Sequence, residues 1–351
     1  MKHLILVALG ALLLFSCTTP DGEQEQNDNQ KLVLVTLDGF RWQELFSGAD
    51  SLLVANKTYV ENTTLLKNKY WRETPDERRS ALLPFIWNVV PQIGEIHGNR
   101  KLGSKMNLTN KMWFSYPGYN EILTGEADDQ NITSNDKIYN PNTTFLEELN
   151  NSPEYKGEVA AFASWDAFPY IINDKRSGVP VNAGYRTAEG SNLSPTEEFL
   201  NKIQSHVPSP FGESARLDFF TDYYALEYMK REHPDVVYIG NDETDDFAHQ
   251  GKYDKYLNGA NFADAFLKEL WDFVQNDPYY KGKTTVVVTA DHGRGYEPLD
   301  RWRDHGSNVI GADETWLIIF GAQAENKGEV NSDEQLYTNE IAGRIKSMLG
   351  F

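Results

Sequence analysis

The chain has 351 residues, 40% of them hydrophobic and 13% aromatic, enough to build a sizeable core. Its formal net charge of -19 excludes the basic face that a nucleic-acid binder needs. Cys17 is the only cysteine, which excludes a disulfide framework.

In chain order, Lys2 precedes an apolar run from Leu4 to Phe15. That run is too short for a permanent spanning helix and has the form of a secretory signal over residues 1–16. Leu14-Phe15-Ser16-Cys17 resembles a bacterial lipobox, which makes Cys17 the expected lipidated residue. Residues 17–30 have no apolar pattern and read as a flexible tether. The expectation is an exported cell-envelope lipoprotein, on the periplasmic or cell-surface side, held to the membrane through Cys17.

Residues 31–351 read as a single domain, with no linker, repeat or low-complexity tract inside. The runs 31–37, 158–164, 235–240, 284–290 and 315–320 are short, apolar and rich in β-branched residues, as buried parallel strands are. Thr74-Pro75-Asp76-Glu77 has the form of a capping box with proline at the first helical position, and Pro84 should kink or end the helix it opens. Helical spacing of apolar residues recurs over 195–206, 214–231, 256–276 and 337–349. Strands alternating with helices predict an α/β fold, a central and mostly parallel sheet flanked by helices on both faces.

In such sheets ligands bind beyond the carboxyl ends of the strands. Asp38-Gly39-Phe40-Arg41 follows the first run, Asp245 and His249 follow the third, Asp291-His292 follows the fourth, and Asp304-His305-Gly306 precedes the fifth. Aspartate oxygens and histidine nitrogens are the donor set of zinc and similar divalent ions. Asp245 and His249 are four apart, one helical turn, so both side chains can reach one ion. Taken singly, each residue is more often a turn former, a helix cap or a surface pair. The order and position of all of them together carry the signal. Ser115, ahead of Tyr116-Pro117-Gly118, is placed in the turn before a helix starting near Pro117. A helix N-terminus favours an anion, although the same serine would also serve as a plain N-cap.

The pieces LVTLDGFR (34–41), FSYPGYNEILTG (114–125), DDFAH (245–249), TADHG (289–293) and DHG (304–306) resemble the alkaline phosphatase superfamily. Within it they are most similar to the type I phosphodiesterase and nucleotide pyrophosphatase branch. The likeness spans residues 31 to 321. It implies an alkaline phosphatase-like fold and two divalent ions, expected to be Zn²⁺. One ion falls to Asp38, Ser115, Asp291 and His292, the other to Asp245, His249 and His305. It also implies Ser115 as the nucleophile and Asn135 as a contact of a phosphoryl oxygen. Lys137 and Arg41 are the cations nearest the site in sequence, and Lys137 joins Asn135 as a candidate substrate-binding residue.

The expected activity is hydrolysis of phosphoric esters through a phosphoserine, with phosphodiesters or nucleotide pyrophosphates as small-molecule substrates. A phosphomonoesterase is the alternative. A sulfatase is disfavoured because Ser115-Tyr116-Pro117-Gly118-Tyr119 lacks the arginine of a Cys/Ser-x-Pro-x-Arg context. A phosphoglycerate mutase is disfavoured by the signal segment, and an inactive binding protein by the complete ligand set. The aromatics Phe168, Tyr170, Phe219, Phe220, Tyr223 and Tyr224 read either as a substrate wall or, more commonly, as core.

Overall fold

A computed structural model describes residues 29–351. The signal segment, Cys17 and the tether up to residue 28 lie outside the described residues. Asn29 is already held, its amide donating to the Glu154 carbonyl at 2.9 Å.

Eleven strands form two sheets among the described residues. They are β1 (Lys31–Leu37), β2 (Gly94–His97), β3 (Ser104–Asn107), β4 (Val159–Ala163), β5 (Val181–Ala183), β6 (Val236–Asn241), β7 (Thr284–Thr289), β8 (Glu314–Thr315), β9 (Leu317–Gly321), β10 (Gly328–Glu329) and β11 (Glu334–Tyr337). The main sheet has the order β10-β2-β9-β7-β1-β6-β4-β5, and a small one the order β11-β3-β8. From β7 through β5 the main sheet is parallel. β9 runs antiparallel to both β7 and β2. The apolar run at 315–320 therefore divides, Thr315 ending β8 of the small sheet and Leu317 opening β9, which enters the main sheet in the opposite direction, properties that its composition does not carry.

Every residue of β1, β6 and β7 is buried, yet the strands still sort their side chains with period two. Val33, Val35, Val237, Ile239, Val286 and Val288 join one core cluster, and Leu32, Leu34, Val236, Tyr238 and Val287 the other. The helices Asp218–Glu232 and Tyr253–Asn276 bury their apolar faces against the first cluster. The helices Ser115–Thr124, Phe145–Asn151 and Ile341–Leu349 bury theirs against the second. Two-faced burial explains why these strands read as continuous apolar runs rather than as alternating ones.

The Thr74 capping box is formed in full, with both reciprocal bonds present on the helix Pro75–Leu82. Pro84 ends that helix and opens the next, Pro84–Asn88, as its first residue. Ser115 differs from the expectation. It is the first residue of its helix rather than a residue of the preceding turn, and Phe114 is the cap. Pro117 is tolerated there because the missing N–H of a first-turn residue has no intrahelical partner to lose. No helix among the described residues is long and apolar enough to cross a membrane.

Candidate metal centre

The carboxyl ends of β1, β6 and β7 lie side by side, so the residues that follow them meet at one edge. Asp38 directly follows β1, Asp291 lies two residues after β7, and both are almost fully buried. Asp245 and His249 lie on the helix Glu243–His249, where the four-residue spacing brings His249 Nε2 to 3.2 Å from Asp245 Oδ2. His305 returns on the loop after the turn Leu299–Arg303. Its Nε2 is 2.9 Å from His249 Nε2 and 3.6 Å from Asp245 Oδ1. His292 stands at the centre. Its Nε2 lies 3.2 Å from Asp38 Oδ1, 3.5 Å from Asp291 Oδ2, 3.7 Å from Asp245 Oδ1 and 3.4 Å from Ser115 Oγ.

The ring has a closed side and an open one. The side chains of Asp38, Asp291 and His292 are at most 2% exposed, while His249 is 44% exposed. On the closed side Tyr119 OH donates to Asp38 Oδ2 at 2.9 Å, and the Gly39 N–H donates to Asp291 Oδ1 at 3.0 Å. Tyr119 lies one helical turn after Ser115, so a single helix face supplies both groups. Gly118, between them, packs so closely that an added Cβ would come within 2.2 Å of the Asp291 carbonyl. The serine helix is thereby pressed directly onto the end of β7.

The remaining oxygens, Asp38 Oδ1 and Asp291 Oδ2, are buried and lack a hydrogen-bond partner. His292 Nδ1 donates to the Gly293 carbonyl at 2.8 Å, which turns Nε2 toward those same oxygens, where its lone pair is open to a cation once the proton is displaced. Lone pairs converging on one point from a buried imidazole and two orphaned carboxylates fit a divalent cation. Two groups have ligand atoms within 4.8 Å of one another: Asp38, Asp291 and His292, and Asp245, His292 and His305. The structure therefore places His292 in both groups, whereas the sequence reading gives it to one, and it attaches His249 through Asp245 and His305.

The electrostatics express the same demand for positive charge. Burial disfavours the charged Asp291 carboxylate, and the neighbouring Asp38 adds repulsion, so its pKa is pushed well above the usual range. Burial pulls the His292 pKa down, but Asp291 and Asp38 outweigh it and raise it to about 9. His305 is held well below its usual pKa by burial, then by the His292 and Arg294 cations. His249 is lowered by burial and by His292.

Asn135 Oδ1 accepts from the Tyr116 N–H at 2.9 Å. Pro117 offers no N–H, and that of Gly118 bonds Phe114. Among the described residues, the Ser115 amide is thus the one first-turn donor of this helix without a protein acceptor. Lys137 pairs with Asp166 at 2.6 Å. Both line a 400 Å³ cavity together with Tyr170, Tyr185, Arg186 and Glu213. Arg41 is buried and turned away from the ring, bonded to both Glu44 oxygens and to the Gly295 carbonyl at 3.0 Å. Of the aromatics, Phe168, Phe220 and Tyr224 are core and Tyr170 lines the cavity. Trp302, in the charged Arg301-Trp302-Arg303 stretch, is fully buried against Tyr59 and Tyr253.

Arg294 escapes the sequence reading. It is fully buried two residues after His292 and bonds Asp245. The only sequence signal for it is its place in TADHGRG, directly behind the strand-end pair.

A model of the metalloenzyme superfamily matches residues 191–312, a stretch that contains Asp245, His249, Asp291, His292 and His305. No curated protein sequence matches the chain. The fold is similar to that of the lipoteichoic acid synthase LtaP from Listeria monocytogenes, with a TM-score of 0.57 at 12% identity, covering 92% of this chain and 72% of that one. It is also similar to the alkaline phosphatase PafA, with a TM-score of 0.57 at 11% identity, covering 92% and 96% of the two chains. An inactive variant of murine ectonucleotide pyrophosphatase/phosphodiesterase 5 in complex with AMP gives 0.50 at 14% identity, over 92% and 95%. The fold is alkaline phosphatase-like, and the segment that the metalloenzyme superfamily model matches holds five of the seven candidate ligands.

Proposed function

We propose that the protein hydrolyses phosphoric esters with Ser115 as nucleophile and two divalent ions, zinc by the donor set, as cofactors. One observation carries this reading: the Ser115 hydroxyl caps nothing and lies 3.4 Å from His292 Nε2, at the edge of the ligand ring. Asp38, Asp291, His292 and Ser115 would hold one ion, and Asp245, His249 and His305 the other. Bound divalent ions supply Lewis acidity for the serine alkoxide and for the leaving oxygen.

Ser115 Oγ attacks phosphorus as the bond to the leaving oxygen breaks, giving a phosphoserine, and the serine proton passes through solvent to the departing alcohol. Water then attacks phosphorus as the bond to Ser115 Oγ breaks, and one of its protons restores the serine hydroxyl. The Ser115 amide donates to a non-bridging oxygen, and Asn135, whose Oδ1 is held by the Tyr116 N–H, is assigned to a second one. Stiff strand ends keep these groups in register between the two displacements.

Diesters are favoured over monoesters. A monoester presents a dianion and calls for additional cations around its non-bridging oxygens. Arg41 and Lys137, the two cations that the sequence offers, are engaged by Glu44 and Asp166. We assign the second ester group to the 400 Å³ cavity lined by Lys137, Asp166 and Tyr170, since Lys137 follows Asn135 by only two residues. The test is the ratio of kcat/KM for a bis-aryl phosphate to that for the aryl phosphate. A preference for the monoester above about tenfold, roughly 1.4 kcal/mol, makes the enzyme a phosphomonoesterase instead. Export with a lipid anchor at Cys17 is part of the same proposal. Cys17→Ser should move the protein from the membrane to the soluble fraction, and retention at the membrane would overturn the anchor.

A further inference from the structure

Arg294 has no exposed surface, which is costly for a guanidinium unless charge and hydrogen bonds compensate. Its compensation is partial. Nη1 donates to the Arg303 carbonyl at 2.6 Å, and Nη2 donates to the Asp245 carbonyl at 3.1 Å and to Asp245 Oδ1. Nε is buried without a partner. Gly39 makes the space. A Cβ there would stand 2.8 Å from Arg294 Nε, 2.9 Å from Asp245 Oδ1 and 3.0 Å from His292 Cε1. The strand-end glycine and the buried arginine are thus one packing unit set against the ligand ring.

Asp245 divides its two oxygens. Oδ2 faces His249, while Oδ1 faces His292, His305 and Arg294 together. We propose that Arg294 is a positioning residue that shares Asp245 with the ion of the Asp245, His249 and His305 group, and so makes that ion the more weakly held of the two. The guanidinium fixes the carboxylate rotamer, takes up part of its charge and places a permanent positive charge beside the ion. The Asp38, Asp291 and His292 group has two carboxylates, and the bonds to them come from Tyr119 and a backbone amide, both neutral. The chain thereby holds one ion tightly and the other exchangeably. This inference rests on the two-ion reading above.

The experiment is chelator competition on the purified zinc-loaded protein, reading the dissociation constant of each zinc ion, for wild type, Arg294→Gln, Arg294→Lys and His249→Ala. The wild type should release zinc in two steps, and His249→Ala should abolish the weaker one. Arg294→Gln removes the competing charge and should tighten the weaker ion about tenfold without moving the tighter one. Arg294→Lys keeps the charge and should stay within about threefold of wild type. Unchanged or weakened zinc binding in a folded Arg294→Gln overturns the proposal, because a purely structural arginine would loosen the site when removed. If Arg294→Gln does not fold, His249→Ala decides: loss of the tighter step overturns the assignment. A wild type that holds fewer than two ions overturns the two-ion reading and this inference with it, whereas two ions with an indifferent Arg294→Gln overturn the inference alone.

Discussion

Ser115 opens its helix without capping it, and stability has little invested in its hydroxyl. Ser115→Ala should therefore unfold within about 0.5 kcal/mol of wild type in urea, while kcat falls by several orders of magnitude. A chiral phosphorus substrate should show net retention, since two in-line inversions cancel, and inversion would mean that water attacks directly. Gly39 is the opposite case. It sits at φ +57° with three site atoms within 3.0 Å of where a Cβ would stand. Gly39→Ala should cost more than about 1 kcal/mol in urea unfolding and should lower zinc content as well. At this scale the ligand candidates were legible because aspartate and histidine at strand ends are rare in concert. The partners of the arginines and lysines were not legible. Arg41, Lys137 and Arg294 read alike in one dimension, and packing alone gave the first to Glu44, the second to Asp166 and the third to Asp245.

The elements tell a similar story about local and non-local information. The Thr74 capping box is written in four consecutive residues and is present as read. Thr74→Ala should cost about 1 kcal/mol, measured by urea denaturation. Strands of six or seven apolar residues were also legible, whereas β2, β3 and β11 are four residues each and carry charged or polar side chains. Those short strands are held by tertiary pairing. His97 at the end of β2 joins the two sheets. It lies 3.3 Å from Glu95 and 2.8 Å from Glu334, the first residue of β11. Burial lowers the His97 pKa, but the two glutamates outweigh it and the net shift is upward. A folded pKa raised above the unfolded value of about 6.5 means the protonated form is the stabilising one. That contribution is full below about pH 6.5 and is lost as pH rises through the folded pKa. His97→Gln should flatten this decline in a series of unfolding curves taken from pH 6 to 9.

Across the whole molecule, five chain segments from Asp38 to His305 must meet before the full set of candidate ligands is assembled. Ions that bind the folded chain and not the unfolded one stabilise by mass action, about 4 kcal/mol per site at a thousandfold excess over Kd. A strong chelator should therefore lower the melting temperature as well as the activity. The same arrangement has a consequence for synthesis. β1, the middle of the parallel sheet, finds its neighbours only in β6 and β7, and Lys31 reaches Asp235 across 204 residues. At roughly 5–20 residues per second, the emerging β1 waits on the order of 10–40 seconds for a partner strand. Throughout that interval the run KLVLVTL is an apolar β-former with unpaired edges on both sides, guarded by a single lysine. A ribosome-bound chain of this protein is thus a natural client for a holding chaperone. A fragment that stops before β6 should sediment as aggregate where the full chain stays in solution.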